Sequence, residues 1–144
     1  MDNTCISEHL KEECGVIGLY SDKAIDPSEA YFALHALQHR GQESAGLAAA
    51  NGHGITYHKN TGLLSEVFSG NQLNQFKKHN IFIGHVRDSG SGANTMVNAQ
   101  PLVAEYKNGQ IAVAHNGSIV NTKAITRCLQ NDGAVFQTHT GSEI

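Results

Sequence analysis

Short apolar runs, bounded by glycines and polar turn residues, recur along the chain and predict a strand-rich fold. Runs of this length are typical of strands, because a helix needs a longer stretch with apolar residues at helical spacing. Two pairs of runs are separated only by short turns containing Asn51-Gly52 and Asn108-Gly109, which predicts two hairpins. The predicted strands are 15–20, 45–50, 55–59, 81–86, 100–106 and 110–115.

Helical spacing of apolar residues first appears after Asp26 and Pro27. Aspartate favours the cap of a helix and proline favours its first position, because the proline nitrogen has no hydrogen left to satisfy there. The pattern predicts a helix over 27–40. Gly41 is predicted to end it, since glycine adopts the backbone conformation that commonly closes helices.

Two more helical segments are predicted further along the chain. A short helix is predicted around 73–76, and a longer one over 121–131, with Asn121 as its cap. Because the strands form hairpins and few helices cross between them, the sheets should be antiparallel and the fold class α+β. The longer helix has one predicted apolar side, formed by Ala124, Ile125, Cys128 and Leu129.

Composition narrows the function classes. A length of 144 residues suits one domain, and 40% hydrophobic with 16% charged residues suits a globular core. The net charge of −3, with scattered basic residues, favours neither a nucleic-acid nor a membrane partner. Three widely spaced cysteines, and the lack of signal-peptide features in the first thirteen residues, predict a cytoplasmic protein. Glycine-rich signatures of nucleotide phosphate sites do not occur.

Cys14 opens the first predicted strand, after thirteen mostly polar residues. One interpretation is a small buried thiol, since free cysteine is often buried. A second is a nucleophile: a cut before Cys14 would place an α-amino group, with a pKa of about 7.7–8.0, beside the thiol as its base. A third is a metal site with Cys5 and His9, which offers three ligands where structural zinc sites use four. The third is the least favoured.

Polar residues also follow several buried elements, where a rigid sheet would aim them. Arg40 and Gly41 follow the first helix, Arg87 ends a buried strand, and Asn116 and Gly117 follow another strand. Each has a simpler interpretation. An arginine favours a helix C-terminus, Arg87 can pair with its acidic neighbour, and Asn-Gly is above all a turn dipeptide.

The segments that carry these residues occur together in a specific order. They are Cys-Gly-Val-Ile-Gly (14–18), His-Arg-Gly-Gln-Glu-Ser-Ala-Gly (39–46), Gly-His-Val-Arg (84–87), Asn-Ala-Gln-Pro-Leu (98–102) and Ala-His-Asn-Gly-Ser-Ile-Val-Asn (114–121). The ordered set resembles the glutaminase domain of the amidophosphoribosyltransferases, a family of N-terminal-nucleophile hydrolases. The resemblance implies a four-layer αββα sandwich of antiparallel sheets, incomplete at its C-terminus. It also implies a propeptide-like leader at 1–13 and a partial glutaminase domain at 14–144.

The resemblance implies catalytic roles for three residues. Cys14 would attack the side-chain amide carbon of glutamine, and its own α-amino group would carry the proton to the leaving ammonia. The Asn116 side chain and the Gly117 backbone N–H would hold the oxyanion. His85 and His115, on predicted buried strands, are interpreted as satisfied core groups and not as catalysts.

The resemblance also implies a glutamine-binding set with two departures. Arg87 would bind the α-carboxylate, while Arg40 and Gly41 would orient the amino terminus of the nucleophile. Gly141 stands where the family has an aspartate for the α-ammonium group, and Asp88 stands where it has a tyrosine. Loss of a charged partner commonly costs about 1.5–3 kcal/mol, so glutamine binding should weaken by one to two orders of magnitude.

The expected function is therefore the glutaminase half of a glycosyltransferase in de novo purine biosynthesis. Ammonia from glutamine would pass to phosphoribosyl pyrophosphate, in a C-terminal domain missing from this chain, and give phosphoribosylamine. Mg²⁺, and the 4Fe–4S cluster of some relatives, would bind outside these residues, so no cofactor is expected within the chain. The full-length protein is expected to be a homo-oligomer. The alternative is a degenerate glutaminase-like domain that binds or regulates without hydrolysing glutamine.

Overall fold

Two antiparallel sheets organise the computed structural model, which describes residues 14–88, 96–117, 119–138 and 141–144. The predicted leader lies outside these ranges. The larger sheet has four strands in the order β1-β4-β2-β3. Its strands are β1 (Gly15–Tyr20), β2 (Ser44–Ala50), β3 (Ile55–Thr61) and β4 (Ile81–Arg87).

The central strands of the larger sheet set the register of the whole fold. Val86 of β4 lies opposite Gly15 on one side and opposite Ala45 on the other. Side chains alternate between the two faces of a strand, so residues paired in this way share one face. Cys14 continues β1 by one residue and therefore lies beside Arg87, at the end of β4.

One face of the larger sheet is covered by helices. These are α1 (Pro27–His35) and the four-residue α2 (Leu64–Val67), followed by a 3-10 turn at Gln72–Phe76. Burying a large apolar side chain contributes about 1.5–3 kcal/mol, so this layer supplies most of the core stability. Its fully buried residues include Leu34, Leu47, Leu64, Phe76, Phe82 and Val86.

The first helix begins as predicted but ends earlier. The Asp26 carboxylate accepts a hydrogen bond from the Ser28 backbone N–H at 2.9 Å, and this bond holds the pKa of Asp26 below its ordinary value. The prediction of a helix over 27–40 was wrong, because α1 ends at His35 and the chain continues into a 3-10 turn at Gln38–Arg40. Gly41 does not end the helix.

The second sheet is a hairpin of β5 (Leu102–Tyr106) and β6 (Gly109–Val113). It lies on the face of the larger sheet opposite the helices, where Ala112 lines a cleft with Ala48 and Ile83. Gly46 of β2 lies directly under the backbone carbonyl of Gln100, leaving no room for a side chain. The described layers are thus helices, sheet and sheet, as expected for an α+β fold.

The last helix, α3, spans Thr122–Asn131, close to its predicted range. Its cap differs, because the Asn121 side chain makes no capping bond and the Asn121 backbone carbonyl accepts from Ala124 and Ile125 instead. Within the described part of the chain, no residue of α3 is buried, so its predicted apolar side is at most half-covered. No helix in the described ranges is both long and apolar enough to cross a membrane.

Candidate active site

The backbone N–H and the backbone carbonyl of Cys14 both form hydrogen bonds with Arg40. Its backbone N–H donates to the Arg40 carbonyl at 2.9 Å, and the Arg40 Nε–H donates back to the Cys14 carbonyl at 2.9 Å. The thiol is half-buried and donates to the Asp88 carbonyl at 3.5 Å. Cys14 therefore has a fixed backbone and a side chain at the end of the sheet, next to β4.

The backbone of Cys14 adopts the left-handed conformation, with φ of 66°. For a residue with a Cβ atom this conformation costs roughly 1–2 kcal/mol, because the Cβ approaches a neighbouring carbonyl. The two hydrogen bonds to Arg40 hold this conformation in place.

Gly41 lies against the backbone of Arg87. A Cβ atom added to Gly41 would lie 2.7 Å from the backbone N and C atoms of Arg87, closer than packing allows. Glu43, two residues further along, also binds this strand, because its N–H donates to the Arg87 carbonyl at 3.0 Å. Gly41 is in extended backbone with φ of −163°, so the close approach, and not a helix end, requires glycine here.

Gln38 stabilises this segment and was missed by sequence reasoning. Its side-chain Nε2 donates to the Gly41 carbonyl at 2.5 Å, and its Oε1 accepts from the Leu64 N–H at 2.7 Å. The turn that carries Arg40 is therefore attached to α2. The only sign of this role in the sequence is that Gln38 is a polar residue inside an apparent helical pattern.

Arg87 and Ser44 lie opposite each other across β4 and β2. Arg87 Nη1 and Ser44 Oγ are both buried and have no hydrogen-bond partner among the described residues. Both groups can donate, and a guanidinium presents its donors in a planar fork that matches a carboxylate. This end of the sheet can therefore bind an anionic group beside Cys14. Ser44 was not singled out from the sequence.

The loop after β6 brings Asn116 to the same place. The Asn116 Nδ2 donates to the Cys14 carbonyl at 3.4 Å, across a separation of 102 residues. Gly117 follows with φ of 151°, and an added Cβ there would lie 3.1 Å from His115 Nε2. The loop thus needs glycine at 117, and it places an amide donor directly beside Cys14.

His85 stabilises this loop by contacting His115, the residue that precedes Asn116. His85 is fully buried, and its Nε2 lies 3.2 Å from the His115 carbonyl. Burial, reinforced by the nearby Arg87 and His115, lowers the pKa of His85 to about 4 although the bond to His115 opposes the shift. The imidazole is therefore neutral near pH 7.

Two expectations about these histidines were wrong. His85 is not fully satisfied, because its buried Nδ1 has no partner among the described residues. His115 is not on a buried strand, since β6 ends at Val113 and His115 is half-buried in the loop that follows.

Gly141 begins a 3-10 turn at Gly141–Glu143. A Cβ added there would lie 3.5 Å from Ile119 Cγ1, an ordinary contact two residues beyond the Asn116-Gly117 loop. The neighbouring Glu143 carboxylate accepts from the backbone N–H groups of Gln137 and Thr138 at 2.6 Å. The structure therefore places Gly141 beside Ile119, close to the Asn116-Gly117 loop.

The metal interpretation gains no support from the described residues. Cys5 and His9 lie outside them, and no three histidine, cysteine, aspartate or glutamate side chains within them are grouped to hold an ion.

Comparison with known proteins identifies the family of this chain. A family model described as class-II glutamine amidotransferases matches residues 13–137. An amidophosphoribosyltransferase of Methanothermobacter thermautotrophicus is 42% identical over 137 residues, which are 94% of this chain and 29% of that protein. Amidophosphoribosyltransferase 3, chloroplastic, of Arabidopsis thaliana is 46% identical over 95% of this chain and 25% of its own length.

A solved structure agrees with these sequence matches. The B. subtilis glutamine phosphoribosylpyrophosphate amidotransferase, complexed with ADP and GMP, superposes with a TM-score of 0.78 at 41% identity. The match covers 89% of this chain and 27% of that one. The chain thus spans between a quarter and three tenths of the length of these relatives, and the α+β fold of the N-terminal-nucleophile type is confirmed. This chain belongs to the class-II glutamine amidotransferases.

Proposed function

We propose that this chain is the glutaminase part of an amidophosphoribosyltransferase, and that it hydrolyses glutamine with Cys14 as nucleophile. One observation carries the proposal. Three chain segments far apart in sequence meet at Cys14: Arg40 binds its backbone, Asn116 donates to its carbonyl, and Arg87 ends the neighbouring strand. A merely structural thiol would not require a guanidinium and an amide donor beside it.

The chemistry follows from these positions. The thiol of Cys14 gives its proton to the α-amino group of the same residue, and Sγ attacks the side-chain amide carbon of glutamine. The Asn116 Nδ2 and the Gly117 N–H stabilise the oxyanion that forms. The C–N bond then breaks, and the α-ammonium donates a proton to the leaving nitrogen, which departs as ammonia. Water hydrolyses the remaining thioester to glutamate and restores the thiol.

The base exists only when Cys14 is the first residue. Before a cut, its nitrogen is an amide that cannot accept a proton, and it donates to the Arg40 carbonyl. The proposal therefore requires removal of residues 1–13.

Glutamine is held by its α-carboxylate on Arg87. The buried Nη1 of Arg87 supplies a donor in a water-poor setting, where a charge-assisted hydrogen bond is roughly twice as strong as a neutral one. The α-ammonium group has no carboxylate at position 141, so we expect a high KM for glutamine.

The fate of ammonia extends the proposal beyond this chain. The relatives are amidophosphoribosyltransferases, and this chain matches a quarter to three tenths of their length. We propose that ammonia is passed to phosphoribosyl pyrophosphate in a separate domain, giving phosphoribosylamine for purine biosynthesis.

The test compares the 144-residue chain with the same chain cut to begin at Cys14. A diazoketone analogue of glutamine should label only the cut form, at Cys14, and glutamate release should appear only in that form. Cys14→Ser should abolish both. Cys128→Ser is the matched control, because Cys128 is an exposed free thiol on α3. Absence of labelling and of glutamate release from the folded, cut chain would refute the proposal.

Gly141 favours a second candidate function, a degenerate glutaminase-like domain that acts as a binding or regulatory module without hydrolysing glutamine. The missing carboxylate at this position removes a partner for the substrate ammonium. Calorimetry and glutamate assays separate the two candidates, since a folded, cut chain that neither binds glutamine nor releases glutamate would support the degenerate domain.

A further inference from the structure

Both backbone groups of His115 are held by buried side chains from other segments. Its N–H donates to Gln100 Oε1 at 2.7 Å, and its carbonyl lies 3.2 Å from His85 Nε2. His115 directly precedes Asn116 and Gly117, the two residues proposed to hold the oxyanion. A residue bound at both its N–H and its carbonyl cannot rotate either adjoining peptide plane freely.

The two side chains are well suited to hold a loop. His85 is 0% exposed and Gln100 is 5% exposed, so water competes little for either hydrogen bond. His85 is on β4, the strand that pairs on both sides in the larger sheet. Gln100 precedes β5 and lies over Gly46 of β2. The loop is therefore attached to the interface between the two sheets.

The chemistry fixes the direction of the histidine bond. A carbonyl can only accept, so the hydrogen of the neutral His85 ring must be on Nε2. Its Nδ1 is then a buried acceptor without a partner among the described residues. Retaining an unsatisfied buried atom is unfavourable, which indicates that the ring is selected for what its other nitrogen holds.

We propose that His85 and Gln100 are positioning residues for the oxyanion loop, acting through the backbone of His115. This inference rests on the proposed function. The two side chains do not touch the substrate. They set where the Asn116 amide and the Gly117 N–H point when the tetrahedral intermediate forms.

This role predicts a specific kinetic pattern. Oxyanion donors act mainly in the transition state, so misplacing them lowers kcat and leaves KM nearly unchanged. Removing a whole donor typically lowers kcat by about 10²–10³-fold, and a displaced donor should cost about tenfold or more. A residue needed only for folding would instead lower the fraction of active protein, with the kcat of the folded molecules unchanged.

The experiment uses His85→Ala and Gln100→Ala, with His79→Ala as the matched control. His79 is also buried, and its ring contacts a carbonyl, that of Phe76, at 2.9 Å. It precedes the first residue of β4, whereas Arg87 is the last residue of that strand. Hydrogen exchange of the peptide containing residues 114–117 is measured in the full chain. Glutaminase kinetics are measured in the form that begins at Cys14, corrected for the folded fraction.

We expect exchange in the loop to accelerate at least tenfold in both site variants and not in the control. We expect kcat to fall about tenfold or more with KM within twofold, and His85→Gln, which keeps a donor, to recover part of it. Unchanged loop exchange, or a loss of kcat equal to that of His79→Ala, overturns the inference. If the unsubstituted chain that begins at Cys14 releases no glutamate, the proposed function fails while the exchange measurement still decides the positioning role.

Discussion

Acid should destabilise this fold through His85. The ordinary pKa of histidine, 6.5, applies to the unfolded chain, whereas the pKa of buried His85 is about 4. Below pH 6.5 the unfolded state binds a proton that the folded state does not. The stabilisation linked to neutral His85 is therefore complete above pH 6.5 and is lost as the pH falls through 4.

The magnitude follows from the same two values. Each unit of difference corresponds to about 1.36 kcal/mol, so the full difference of about 2.5 units between 6.5 and about 4 corresponds to about 3 kcal/mol. Most of this loss should already be present at pH 4.5. Typical domains have only about 5–15 kcal/mol of stability, so the loss is large for a single side chain.

The assay is urea unfolding of the parent chain and of His85→Gln between pH 7 and pH 4.5. Glutamine keeps a neutral donor for the His115 carbonyl but cannot be protonated in this range. The variant should be less stable at pH 7 and should lose about 2–3 kcal/mol less than the parent on acidification. His53→Gln, at an exposed position, controls for the loss of an imidazole. A constant difference between parent and His85→Gln across the pH range would refute the reasoning.

Three further substitutions test the proposed substrate site. Gly141→Asp should lower the KM for glutamine about tenfold or more, because position 141 has room for a Cβ and an aspartate supplies the missing partner; an unchanged KM in steady-state assays would contradict this. Arg87→Lys should raise KM at least tenfold with a smaller effect on kcat, since lysine lacks the planar fork; equal changes in both would argue against carboxylate binding. Gly41→Ala should lower the free energy of unfolding by about 1–3 kcal/mol, because its Cβ would meet the Arg87 backbone at 2.7 Å; urea unfolding with no loss would show that this contact is not tight.

The sequence predicted most of the fold because its strands are short, apolar and bounded by clear turns. β1 has its predicted bounds, and β2, β3 and β4 differ from theirs by one or two residues. The end of α1 was misplaced because Leu37 continues the apolar spacing and still packs on the core, although the backbone has already changed to a 3-10 turn. The helix α2 was missed because four residues carry too little periodicity to recognise.

The site was less accessible to sequence reasoning. Spacing alone could not show that Asn116 contacts Cys14, because 102 residues separate them and only the order of the resembling segments suggested it. The roles of supporting residues such as Gln38 and Gln100 could not be assigned, since a buried amide looks like a surface amide in the sequence. Their importance depends on backbone groups that only the folded chain brings near.

The turn that carries Arg40 has a mechanical consequence for engineering. Within a few residues, it is linked to Cys14, through the bonds between Arg40 and Cys14, and to the end of β4, through the contacts of Gly41 and Glu43 with Arg87. Cys14 and Arg87, the proposed nucleophile and the proposed carboxylate-binding residue, are thus attached to one turn, and any shift of that turn displaces both together. Reactivity and substrate affinity should change in step when this turn is altered. A new amide substrate would be better sought by changing Gly141, where an added Cβ would make only ordinary contacts with Ile119.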